Sequence, residues 1–509
     1  MQDIHTHVAA NVPPGYRKAE QRFERLYKLG DALRVLEWDN SAVMPAGGAE
    51  ARGEQIATLR VLHHEMLTAP EIGDVVSAAE AERNALDPWQ RANLAEMRRE
   101  WAHASAVPPD LVEAYSKALS ACEMRWRSAR PANDFKGLLP DLRRVLGLVR
   151  QVADAKAAKL GLSPYDALLD EWEPGGRAET IDVLFDDLAA FLPGFIAEAI
   201  GHQESLPAPL PIPGPFPVDR QRSLATSLMA TVGFDFDHGR LDTSAHPFCG
   251  GVPDDVRITT RWNESDFTTG LMGVLHETGH AMYERGLPAG WRYQPVGRAR
   301  GMSIHESQSL MVEMQASRSP QFVRWLAGQA AAAFGGTGPA WAPDNFLRIY
   351  HRVRRGLIRV DADEATYPCH VILRYRLERA MIAGDLDLGD LPGAWNDGMK
   401  ELVGIVPPDD KDGCLQDIHW PSGAWGYFPT YTLGAMTAAQ LFAAAAAADP
   451  TIPDALGRGD FRPLMAWLRR EVHGRAASLS TPDLITAATG RPLDPSFFKA
   501  HLARRYLGR

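Results

Sequence analysis

Cysteine is scarce: the 509-residue chain carries four, Cys122, Cys249, Cys369 and Cys414, with no Cys-x-x-Cys pair among them. That distribution excludes a disulfide framework and a thiolate zinc site, and it fits a reducing, cytoplasmic setting. The opening Met-Gln-Asp-Ile-His-Thr-His has no basic stretch leading into an apolar run, so no secretion signal is expected. Long hydrophobic runs are also missing. The best candidate, Leu433 to Ala448, is interrupted by Thr437 and Gln440 and is mostly alanine, and it is shorter than a bilayer span, so no membrane association is expected. Nor is there an excess of positive charge: 54 Lys and Arg stand against 64 Asp and Glu, a formal net charge of -10, which argues against a nucleic-acid partner. What the chain does have is 45% hydrophobic and 23% charged residues, enough to bury a substantial globular core.

From Tyr16 to about Gln203, apolar residues recur at three- and four-residue spacing, as in Leu138, Leu139, Leu142, Val145 and Leu146, and predict an array of helices. The Pro-rich segment Leu206 to Pro217 cannot be helical and is expected to run extended. It reads as a crossover within one catalytic domain, 1–509; the alternative is a linker between two lobes, about 1–205 and 218–509. Between Phe234 and Asp266 the texture changes, and the β-branched alternation of Asp255 to Trp262 predicts a short strand or hairpin. Beyond Leu271 the pattern is again mostly helical.

The motif that carries chemistry is His276-Glu277-Thr278-Gly279-His280. On a helix, residues four apart share a face, so both imidazoles can reach one ion, while Glu277 lies about 100° round the axis beside the first ligand. Leu271, Val274, Leu275, Ala281 and Met282 supply an apolar stripe, Asp266 or Thr268 a cap, and Gly286 with Pro288 a stop. The plainer alternative is two surface histidines with a solvated glutamate. Catalytic zinc takes three protein ligands and leaves a fourth position open, so a third ligand is needed. Glu306, in Ser303-Ile-His-Glu306, is the candidate. Ser303 and Glu306 also match a capping box, and His305 and Glu313 compete as ligands. A carboxylate at Glu277 suits a general base that takes a proton from zinc-activated water.

Further blocks accompany the motif: His246-Pro-Phe248, Asp255-Val-Arg257-Ile-Thr259, His305-Glu-Ser-Gln308, Ile358-Arg-Val-Asp-Ala-Asp363 and Gly413-Cys-Leu-Gln-Asp-Ile-His-Trp420, preceded by Trp38-Asp39 and Met44-Pro45. With them the chain resembles the thermostable carboxypeptidase Taq family of metallocarboxypeptidases, in block order and over most of its length. Ala42 and Pro368 depart from the family pattern, and Pro368 bears on the helix expected after Asp363.

The resemblance implies a mainly α fold, a long-helix array bounding a deep active-site groove with a small β element beside the metal. It implies one zinc ion per chain, with cobalt or manganese also accepted by such a shell. The implied ligands are His276, His280 and Glu306, with Glu277 as base. Substrates would be peptides with a free C-terminus, shortened one residue at a time with broad specificity, by a homodimer. His419, Tyr427 and Tyr431 fall where oxyanion donors are expected, and Gln416 and His246 lie in blocks expected near substrate. An exopeptidase needs a cation for the terminal carboxylate, and Arg359 is preferred over Arg257. Each has an acidic neighbour, Asp361 or Asp255, so an internal ion pair is the alternative, as plain packing is for the tyrosines. The rival activities are a zinc endopeptidase or dipeptidyl carboxypeptidase of similar helical fold, and a non-catalytic peptide-binding scaffold. Glu277 and a three-ligand shell argue against the scaffold, because structural zinc sites are closed by four protein ligands.

Overall fold

The computed structural model describes residues 12–244 and 246–509, so the opening heptapeptide on which the secretion expectation rests lies outside the described residues. Among the described residues there are 21 α-helices and one three-stranded sheet. Helices follow one another from Pro14 to Glu204, as the periodicity predicts. The chain's 37 prolines coexist with this fold because many of them open helices, where the missing N–H is not needed and the fixed φ already suits the first turn. Pro109 and Pro164 are examples, and so is Pro368, which opens the helix Tyr367–Ala383 and leaves it unbroken.

Two compact units are present. The first comprises Met1–Ala104, Pro209–Tyr350 and Thr437–Leu493; the second Ser105–Ala208, His351–Met436 and Asp494–Arg509. Each unit is assembled from three separated stretches of chain, and one passage between them, Ala208 to Pro209, lies in the Pro-rich segment. The Pro-rich segment has no regular structure between the helices ending at Glu204 and starting at Val218. It is nevertheless tied down. Leu210 exchanges two backbone hydrogen bonds with the Asn345 side chain, at 2.7 and 2.9 Å, and Phe216 is buried in the first unit's core with Phe267, Leu271 and Phe346. In the second unit Tyr375 meets Phe185 and Tyr165 edge-on, with ring centroids 5.1 and 5.8 Å apart.

The sheet belongs to the first unit and runs in the order β1 (Gly239–Thr243), β3 (Asp255–Thr260), β2 (Phe248–Val252). β2 and β3 form the expected hairpin, with Gly250 opposite Arg257. β1 adds in parallel to β3. Val256 and Ile258 point into the core that contains Val274 and Leu275 of the helix Phe267–Gly286, so the sheet lies against the motif-bearing helix. The helix Pro429–Ala448 is long and apolar enough by composition to cross a membrane; its Leu441 and Ala445 are part of the first unit's core.

Candidate metal centre

The helix Phe267–Gly286 starts and stops where the sequence places it. Asp266 accepts from Thr268 N at 2.8 Å as the N-cap, and the chain turns away at Leu287. The apolar stripe is buried, which turns His276 and His280 toward the helix Gly301–Leu310. That second helix begins at Gly301, after Arg300, and no side chain caps it, so Glu306 sits inside the helix and the capping-box reading falls away. Instead, Arg300 N donates to the Tyr283 hydroxyl at 3.0 Å, a tertiary bond at the helix start. The two helices approach closely at Gly279: a Cβ there would collide with the Gln308 carbonyl oxygen and lie 2.6 Å from Ser309 Cα. Only glycine in the middle of the motif allows Glu306 to reach the histidines.

They meet tightly. Nε2 of His280 lies 3.5 Å and Nε2 of His276 3.8 Å from Oε2 of Glu306, and the ligand atoms of the three residues all lie within 4.8 Å of one another. Zinc bonds of about 2.0–2.2 Å at tetrahedral angles separate ligand atoms by roughly 3.3 Å, so the trio needs little movement to close on an ion. The electrostatics agree. Burial pushes the His276 imidazole down, but the carboxylates of Glu306, Glu313 and Glu277 outweigh it and raise the pKa to about 10. Burial likewise pushes Glu306 up, and the charge on His276 with the His280 hydrogen bond brings it down to about 2. The pocket thus favours a positive charge strongly, and a divalent cation fits this donor set. His280, dominated by burial, is lowered to about 4, and Glu277, 8% exposed, is raised by burial to about 7.

The competing ligands have other partners. Glu313, in the π-helical stretch Met311–Ser317, accepts from His276 Nδ1 at 3.0 Å and from Arg318 at 2.6 Å. His305 faces His280 Nδ1 at 2.6 Å and Glu284 at 2.9 Å. Sequence reasoning missed Glu284 and Arg318. Glu284 left one signal, since His276, His280 and Glu284 follow at steps of four on one helix face.

Of the remaining expected residues, Arg257 and His246 belong to the first unit. Arg257 is held by Asp255, with Nε–Oδ1 at 2.9 Å, and its guanidinium lies 4.5 Å from the Trp38 ring centroid, so the internal ion pair is present. His246 sits on an exposed turn before β2. The second unit brings together Arg359, Gln416, His419, Tyr427 and Tyr431. Arg359, 5% exposed, pairs not with Asp361 but with Asp417, Nη2–Oδ1 at 2.7 Å, and its Nη1 donates to the Tyr367 hydroxyl at 2.6 Å. Arg374 holds the other oxygen of Asp417 at 2.6 Å. Two guanidiniums share one carboxylate, and burial holds the nearby His370 and His419 imidazoles down to about 3 and 4, so the cluster keeps a net positive charge.

His419 Nε2 lies 3.2 Å from the Tyr431 hydroxyl, and the Tyr427 ring packs edge-on against Trp172 at 5.0 Å. Gln416 is bonded to backbone on every side. Its carbonyl accepts Arg359 N at 2.8 Å, and its amide N–H groups donate to the Leu357, Asp412 and Gly413 carbonyls at 3.0–3.2 Å. That side chain ties a loop together through bonds to backbone.

A family model described as carboxypeptidase Taq (M32) metallopeptidase matches residues 18–506. Thermostable carboxypeptidase 1 of Thermus thermophilus is 38% identical over 480 residues, covering 92% of this chain and 94% of its own. Carboxypeptidase 1 of Bacillus subtilis is 31% identical over 485 residues, covering 95% and 96%. Among solved structures, Trypanosoma cruzi metallocarboxypeptidase 1 superposes with a TM-score of 0.95 at 41% identity, covering 97% of this chain and 99% of that one.

Proposed function

The chain belongs to the carboxypeptidase Taq (M32) metallopeptidase family and is a metallocarboxypeptidase, and from that premise we propose that it is a zinc enzyme of broad specificity, with the roles of its residues as follows. His276, His280 and Glu306 hold one zinc ion, and the observation that carries this is their convergence within 4.8 Å with Glu277 alongside. Zinc in that trio supplies Lewis acidity, polarising a scissile carbonyl and lowering the pKa of coordinated water toward about 7. Glu277, with its own pKa lifted to about 7, takes the proton of the attacking water on its carboxylate and returns it to the leaving amine.

Arg359 receives the peptide's terminal carboxylate. This is supported by the surplus positive charge that Arg359 and Arg374 leave around Asp417, a charge an anion would complete. His419 and Tyr431, joined at 3.2 Å, are the proposed oxyanion donors. A cytoplasmic homodimer is part of the same proposal, the compartment supported by four unpaired cysteines, the assembly by exposed Val43, Val61 and Leu62; light scattering measures the latter. The central test is mass spectrometry of free and amidated peptides incubated with the protein, with and without a chelator. Stepwise loss of single residues from free C-termini only, abolished by chelation and restored by zinc, is expected. Cleavage of amidated peptides at a similar rate would remove the terminal-carboxylate requirement.

A further inference from the structure

We infer that His305 is a positioning residue that fixes the tautomer of His280, relaying the negative charge of Glu284 to it, while Glu313 fixes His276 directly. The inference rests on His276, His280 and Glu306 being the metal ligands, and it follows from where protons can lie. Glu284 is a carboxylate and only accepts, so the His305 Nε2 that faces it at 2.9 Å carries the ring proton. With its Nε2 proton directed at Glu284, the His305 ring is oriented to accept at Nδ1. His305 Nδ1 and His280 Nδ1 are 2.6 Å apart and only one proton fits between them, so it belongs to His280. Nε2 of His280 is thereby left with its lone pair, and that is the atom 3.5 Å from Glu306 Oε2.

At His276 the same result is reached in one step. Nδ1 donates to Glu313 Oε2 at 3.0 Å, and Arg318 occupies the other oxygen of Glu313 at 2.6 Å. The two ligands are therefore braced differently: one by a carboxylate whose charge is balanced by an arginine, the other by an imidazole with a carboxylate behind it. His305 is also fixed in orientation, its ring lying edge-on to Tyr283 with centroids 5.4 Å apart. One of its nitrogens faces Glu284 and the other the Nδ1 of His280, not the Nε2 turned to the trio, which makes it a brace rather than a fourth ligand. Partners of this kind are worth roughly 10–100-fold in metal affinity.

Three substitutions separate the possibilities. His305→Leu removes the relay. His305→Gln keeps an acceptor for His280 and a donor for Glu284 in one side chain. Glu284→Gln keeps the packing but can either donate or accept, so it no longer dictates the proton order. Zinc affinity of the metal-free proteins is measured by competition with a chelating indicator, alongside far-UV circular dichroism and ring nitrogen-15 shifts of the zinc-loaded proteins. We expect wild type to bind zinc with the His280 proton at Nδ1, and His305→Leu to weaken binding about 10–100-fold with unchanged helix content. His305→Gln should stay within about threefold of wild type, and Glu284→Gln should fall between the two. Equal affinity in His305→Leu and wild type would overturn the relay. Failure of the wild type to bind zinc would instead sink the ligand trio. Loss of an imidazole from the zinc X-ray absorption spectrum of His305→Gln would make His305 a ligand and end its role as brace.

Discussion

Glu277 shares a helix turn with His276 but is not one of the three residues whose ligand atoms converge, so the proposed binding and turnover roles can be tested separately at this side chain. Its burial lifts the carboxyl to about 7, where it can both accept and return a proton near neutrality. Glu277→Gln preserves size and polarity and cannot take the proton. It should retain one zinc per chain while turnover falls about 10²–10⁴-fold, read as metal content by atomic absorption beside initial rates. Zinc retained together with wild-type rates would strike Glu277 from the mechanism. Arg359 poses a different question, because Asp417 and Tyr367 already engage it. Asp417 is held far below the usual carboxylate range, burial opposing and Arg374 and Arg359 prevailing, so its charge persists and the two arginines stay one ahead. Arg359→Ala leaves a neutral Arg374–Asp417 pair. A lost charge-assisted bond of about 1.5–3 kcal/mol should lower kcat/KM on free-carboxylate peptides roughly 10–100-fold and leave amidated peptides unaffected. An unchanged ratio between the two peptide types would transfer the role to another cation.

Two elements place these groups, and each has one residue on which its geometry turns. The histidine and glutamate helices are drawn together at Gly279, where a methyl group would strike Gln308 and Ser309 backbone. Gly279→Ala improves helix propensity yet overpacks the crossing, so a net loss of about 1–3 kcal/mol in stability is expected, together with weaker zinc binding as Glu306 is pushed away. A chelator titration alongside urea unfolding checks both. The loop that carries His419 and Tyr427 is tied to buried Glu378, which accepts from Trp420 Nε1 at 2.9 Å, Tyr165 hydroxyl at 3.0 Å and Gly426 N at 3.3 Å. Burial raises this carboxyl to about 8 despite those bonds. The folded state therefore keeps a proton that the unfolded chain gives up near 4.5, so stability is highest below that value and declines as pH rises through about 8. The urea midpoint should drop between pH 5 and 8.5 in the wild type and change less in Glu378→Gln; parallel slopes would show that Glu378 is ionised throughout. At this scale the sequence was informative wherever the signal was local. Asp266, Gly286 and the 276–280 spacing delimit a helix and set two imidazoles on one face of it. The capping-box alternative at Ser303 fails because a tertiary bond from Arg300 to Tyr283 sets that helix start, and the parallel β1 pairing, the Arg359–Asp417 pair and the Glu284–His305 contact escaped because each joins residues distant in the chain.

On the scale of the whole chain, the backbone passes from the second unit to the first inside the Pro-rich segment 206–217, between Ala208 and Pro209, yet neither unit is built from one side of that segment alone. The first unit needs its N-terminal helices. Asn93, fully buried, donates to Gln294 at 3.0 Å and accepts from Val296 N at 3.2 Å, and Gln294 in turn donates to Glu20 O at 3.0 Å. The second unit needs residues from before the seam as much as after it: Trp126 donates to Leu415 O at 2.8 Å, and Tyr165 to Glu378. Cutting at 206–217 would strand these buried groups, each at a cost of about 1–3 kcal/mol, and would part Phe185 and Tyr165 from Tyr375 in the second unit. All three proposed zinc ligands nevertheless lie in the fragment 218–509, which makes the cut discriminating. Expressed alone, that fragment should show helical far-UV but weak near-UV circular dichroism and bind zinc far more weakly than the intact chain; fragment 1–205 should likewise lack fixed tertiary packing. Co-expressed, the two should recover near-UV signal, zinc affinity and carboxypeptidase activity together. If 218–509 alone binds zinc like the intact chain and gives a sharp unfolding transition, the lobes suggested by the sequence are real folding units and the contacts across the cut contribute little to holding the metal site.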